Sequence, residues 1–191
     1  FWAMEQHKRS NLNSNFDAIA KPCSGFALLT IRKQGIDMTA KYTVIENQTL
    51  STSVSSVTMT GISGSYKDLV LIVGANTGAS FAAFQLTLNG DTGSNYHRVF
   101  MRGDGSSATS GVTSGAARLE TYGTVGDSVT QVDIMDYSKT DKHKSVLIAF
   151  ANATNVVSRL AGRWADTSAI TSLTVTGNYP AGSTFRLLGV N

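Results

Sequence analysis

The chain has little of what most functional classes need. Its 191 residues include one cysteine, Cys23, so no intrachain disulfide closes and no cysteine-based zinc site forms. One cysteine leaves the redox compartment open. Charged residues make up 15% of the chain, against roughly 25% in an average soluble protein. No apolar run approaches the 18 or so residues of a membrane-spanning helix. Ser24 to Ile31 is too short for a signal peptide and is not flanked like one. Helical periods of 10–15 residues are missing, as are heptads and any repeat of 20–50 residues, which argues against a parallel α/β sheet, a coiled-coil shaft and a solenoid. A strong electrostatic field is missing too. The formal charge is +3, but residues 1–37 hold five basic and three acidic residues, and the remainder is nearly balanced. A nucleic-acid role gets little support from such a body.

What is present is a β pattern. About 41% of residues are apolar, enough for a sizeable core. Ser, Thr, Gly and Asn supply the polar surface, a composition that suits extracellular or virion β proteins. The stretch Ser65 to Arg102 organises the rest. Asp68 to Val73 ends in a Val- and Ile-rich run and reads as a strand buried on both faces. Phe84 to Asn89 alternates with period two and reads as half-buried. Asn89 to Asn95 concentrates turn formers, and Tyr96 to Met101 resumes as a strand. Together these predict a β-meander. Further strands are expected at Tyr42–Ile45, within Leu50–Thr60, and at Arg118–Tyr122, Ser128–Met135, Ser145–Ala151, Val156–Trp164, Ile170–Thr176 and Ser183–Val190. Pro180 falls in the last turn, where it interrupts no ladder. Gly103 to Ala117 is nearly uncharged and reads as a long loop, a length that usually signals function or mobility. About ten short strands at 8–12-residue spacing predict an all-β, antiparallel, jelly-roll-like sandwich over residues 41–191.

Residues 1–40 differ from this body and read as an N-terminal extended arm. Asn13 to Ala20 suits a helical turn or two, and Phe26 to Ile31 a strand. One account docks the arm on a neighbouring subunit through Trp2, Phe16 and Phe26. The other starts the native protein at Met38, with the preceding residues coming from upstream sequence.

Candidate chemistry is thin. Asp91, Ser94 and His97 supply the residue types of a hydrolytic triad, but three neighbours on one connection are poorly placed for a relay, which needs converging groups and an oxyanion hole. Asp91, Asn95 and Asp104 offer calcium-type oxygen ligands without an EF-hand pattern, and Asx turns account for Asp91 and Asn95 equally. Arg102-Gly103-Asp104 spells a tripeptide that some cell-surface receptors bind at loop tips, and makes Arg102 and Asp104 partner-binding candidates. A good turn is the plainer reading. Trp164, Tyr66, Tyr96 and Tyr122 suit sugar stacking or, more often in sandwiches, the core. Lys139, Lys142, Lys144 and Arg98 suit a phosphate or acidic-partner patch, with a solvated turn as the default. No cofactor motif, no catalytic set and no metal spacing emerge, so a non-enzyme is expected.

Five motifs in order carry a resemblance. They are Ser65-Tyr66-Lys67-Asp68-Leu69-Val70-Leu71; Leu88-Asn89-Gly90-Asp91-Thr92-Gly93-Ser94-Asn95-Tyr96; Gly103-Asp104-Gly105-Ser106-Ser107; Gly162-Arg163-Trp164 before Ala169-Ile170-Thr171-Ser172-Leu173; and Ala181 to Gly189. Over about Thr43 to Val190 the chain resembles virion structural proteins of tailed bacteriophages, including those of marine bacteria and cyanobacteria, described as tail-fibre or virion structural proteins. The resemblance implies assembly and binding on a virion surface, with other capsid or tail subunits as partners and a homotrimer as the expected oligomer. It carries no catalytic set. Without a shaft element, a compact sandwich suits a capsid decoration protein of cement or head-fibre type. A tail or tail-fibre component binding host-surface glycans through Gly103–Ala117 is the alternative, and a hydrolase on a sandwich scaffold is the third.

Overall fold

The computed structural model describes residues 42–75, 83–121, 126–153 and 155–191. The arm, with Trp2, Phe16 and Phe26, and the Met38 start lie outside the described residues. Twelve antiparallel strands form, and no helix forms among the described residues: β1 Tyr42–Thr49, β2 Val54–Met59, β3 Asp68–Ala75, β4 Gln85–Leu88, β5 Tyr96–Gly103, β6 Ala108–Ala116, β7 Leu119–Glu120, β8 Ser128–Met135, β9 Lys144–Asn152, β10 Val157–Trp164, β11 Leu173–Tyr179 and β12 Thr184–Val190. They build an eight-stranded sheet ordered β1-β12-β3-β8-β9-β10-β5-β6 and a four-stranded sheet ordered β2-β11-β4-β7. The chain passes repeatedly between them, so the fold is the expected antiparallel, jelly-roll-like sandwich with unequal layers.

Alternation dictates the core. Leu69, Leu71 and Val73 of β3, Val132 and Ile134 of β8, Val146 and Ile148 of β9, and Phe185 and Leu187 of β12 point inward from the large sheet. Leu86 and Leu88 of β4 and Leu173 and Val175 of β11 meet them from the small one. Removing such side chains from water contributes about 25 cal/mol per Å² of apolar surface, the main force holding the layers together. Gly162 marks a close approach between layers. A Cβ there would lie 2.7 Å from Leu119 Cδ2, so β7 sits down on β10 only because that position is bare.

Two expectations change. The central stretch is not a meander, because β3 and β5 belong to the large sheet while β4 belongs to the small one. Asn89–Asn95 is therefore an arch between layers, turned by Asn89 and Gly90 at φ 52° and 68° with Asp91 N donating to Leu88 O at 3.0 Å. Period-two alternation is the same in either arrangement and does not reveal which sheet a strand joins. Gly103–Ala117 is not a long loop. A tight turn at Asp104–Ser107 leads straight into β6, which pairs with β5 from Gly103↔Ala108 to Arg98↔Thr113.

Candidate docking face

Most of the inward side of the large sheet packs into the core, and part of its outward side, over β5, β6, β8, β9 and β10, carries exposed apolar residues. Register places the side chains. On β10, Val157 lies beside Gly103 and Ala151, Arg159 beside Met101 and Ala149, and Ala161 beside Val99 and Leu147. Val99 in turn faces Val112 on β6, and Ala151 faces Val129 on β8. Val112 is 72% exposed, Met101 63%, Val157 60% and Val129 56%, with Val99 and Leu147 also exposed. Scattered exposed apolar residues are ordinary, but an adjoining group spread over five strands makes this face a candidate interaction surface.

The face is shaped as well as apolar. A depression of about 690 Å³ lies over Ala149, Ala151, Gly103 and Ala108, bounded by Met101, Val129, Val157 and Arg159. A second, of about 240 Å³, lies between Val99, Leu147 and Ala161 on the other side of Arg159. Arg159 meets no carboxylate among the described residues. The nearest acid by register, Asp133 opposite Leu147, accepts from Gln131 Nε2 at 3.0 Å and 3.2 Å. The arrangement can bury a flat apolar surface and pair one carboxylate with a guanidinium.

Of the residues singled out in the sequence, Arg102 borders the larger depression, and the others lie elsewhere. Arg102 Nη2 lies 3.7 Å from Asp104 Oδ2, so the two candidates do come together. The Asp104 carboxylate, however, is occupied in closing its own turn. It accepts from Ser107 N at 2.7 Å, Ser106 N at 3.0 Å and the Ser107 hydroxyl at 3.0 Å, and these bonds hold its pKa below the ordinary value. Asp91 accepts from Trp164 Nε1 at 2.6 Å, Gly93 N at 2.8 Å and Asn95 Nδ2 at 2.9 Å, the Trp164 bond doing most to lower its pKa. It does not turn to His97. Its partners tie the β4–β5 arch to the end of β10.

Trp164 and Tyr96 are buried and stack at 6.5 Å, so neither offers a platform to a sugar. Tyr122 lies outside the described residues. The basic patch does not assemble. Lys144 is fully buried, and its Nζ donates to the carbonyls of Lys139, Thr167 and Lys142 at 2.5, 3.0 and 3.1 Å, with burial lowering its pKa. Lys142 pairs with Asp136 at 2.8 Å, and Arg98 turns to the Glu120 carbonyl. Among the described residues no three His, Cys, Asp or Glu side chains converge as a metal site, and Asp91 and Asp104 occupy separate turns.

The residues of this face were not singled out in the sequence, where an apolar residue in a strand by itself gives no sign of which side it takes. A signal was there. Leu147 sits between Val146 and Ile148, and Val99 beside Phe100, so these strands carry apolar residues of both parities, while among the described residues the small sheet packs on one side of the large one. Compared with family models, curated proteins and solved structures, the chain matches none.

Proposed function

We propose that the chain is a non-enzymatic structural protein on the outside of a tailed-phage virion, a capsid decoration protein that binds capsid subunits through the outward side of its large sheet. The observation that carries the docking reading is the adjoining exposure of Val99, Met101, Val112, Val129, Leu147 and Val157 around the two depressions. The virion setting rests on the five-motif resemblance. The favoured partner surface is flat and apolar, with a carboxylate opposite Arg159. The tail-component alternative rests on the same resemblance, and this part of the sheet presents glycans with no aromatic ring.

Quantitative mass spectrometry of purified particles carrying the protein tests the reading. Copies in the hundreds per particle are expected, and a handful contradicts it. Val157→Asp combined with Arg159→Glu should weaken binding to undecorated particles about a hundredfold, because it places charge in the apolar area and reverses the pairing. The fold should be nearly unaffected, since both positions are exposed surface sites. Undiminished binding by the folded variant would remove this face from the interface.

A further inference from the structure

The four edges of the two sheets are not alike. Edge strands expose unpaired N–H and C=O groups, and proteins blunt them with charge, bulges, proline or shortness. β1 carries Glu46 at a register break between Val44 and Glu46. β7 is two residues long. β2 turns Ser56 and Thr58 to solvent and continues no apolar surface. β6 has none of these protections over Ala108–Thr113. It runs nine residues, ATSGVTSGA, with no charge and no proline, and its only neighbour among the described residues is β5. The register break and Gly115 at φ 68° come only at its far end, which confines regular pairing to the segment opposite Gly103–Arg98.

We propose that β6 pairs antiparallel with β6 of a second copy, about a twofold axis perpendicular to the sheet near Ser110–Gly111. Three features select a second copy as the occupant. A twofold sets each side chain of the strand against another of the same strand, and with no charge in Ala108–Ala116 no like charges meet. With the axis at Gly111, outward-facing Ser110 would face Val112 of the second copy while Thr109 faces Thr113 on the other side; with the axis at Ser110, Ser110 would face its own copy and Val112 would face Ala108. The apolar face also reaches this edge: Val112 adjoins Val99, and Ser110 adjoins Met101. Pairing therefore joins the two outward faces into one continuous sheet, and adds side-chain burial at Val112 to the backbone ladder. The pairing does not rest on the virion reading, and it gives an assembly of even number where the resemblance implies a homotrimer.

Sedimentation of the full chain, with hydrogen exchange followed by mass spectrometry, tests it. A reversible dimer is expected, with amides of 108–113 exchanging more slowly as concentration rises. Ser110→Lys with Val112→Lys places lysines opposite each other in either register, and should raise the dissociation constant about tenfold or more. Val129→Lys, on the same face but four strands from the edge, should leave the dimer unchanged. A chain that is monomeric at every concentration overturns the proposal, and so does an oligomer in which 108–113 exchange freely. Exchange on the unaltered chain decides the matter if the double-lysine chain does not fold.

Discussion

Trp164→Ala is expected to lower unfolding free energy by about 4 kcal/mol, the range for deleting a large buried aromatic. Trp164 is 1% exposed, stacks on Tyr96, and donates from Nε1 to Asp91. Its loss opens a cavity between the layers and also releases the arch that Asp91 closes. Trp164→Phe fills most of the space but cannot donate, so the difference between the two variants in denaturant unfolding separates packing from the hydrogen bond. Asp91 adds a pH dependence of known sign. Its folded pKa is lowered, so the stability it contributes is present above its ordinary value of 3.8 and is lost as pH falls through the folded value. Asp91→Asn should flatten that part of the acid limb. An unaltered acid limb in the asparagine variant would show that the carboxylate does not anchor the arch.

Lys144→Met is expected to cost about 3 kcal/mol, even though it removes a buried charge. The ammonium satisfies the carbonyls of Lys139, Lys142 and Thr167, which belong to the β8–β9 and β10–β11 connections. Methionine matches the volume and leaves all three without their donor. Ile170 N donating to Tyr137 O at 2.9 Å is a further backbone link between these connections. Exchange at 137–143 and 166–170 should therefore accelerate together. A loss below about 0.5 kcal/mol would mean that water replaces the ammonium without penalty.

How far the sequence reached depended on whether a feature was local. Ser128–Met135 was legible to the residue as β8, because its alternation is strict and turn formers bound it. β10 and β12 were placed within a residue for the same reason. β6 was not, since ATSGVTSGA has neither bulk nor clear alternation, and pairing with β5 is what makes it a strand. The membership of β4 in the small sheet is likewise set by β11 and β7, more than thirty residues away or further. Lys144 read as part of a solvated turn because three lysines lie close in sequence. Only the fold shows that the first residue of β9 points inward, to backbone oxygens. Arg102 and Asp104, singled out together in the sequence, do meet, in a turn that the Asp104 carboxylate itself closes. The face itself needed the knowledge of which side of the large sheet the small sheet packs against.

The central claim is that the outward side of the large sheet is the docking surface on a particle. Oxidative footprinting of methionines, in the free chain and in assembled particles, reads it directly. Met101 stands on that face and is 63% exposed, while Met59 is 1% exposed in the core. Oxidation of Met101 should slow about tenfold or more on assembly, with Met59 unreactive in both states. A Met101 that oxidises equally fast in the free chain and on the particle would contradict the account.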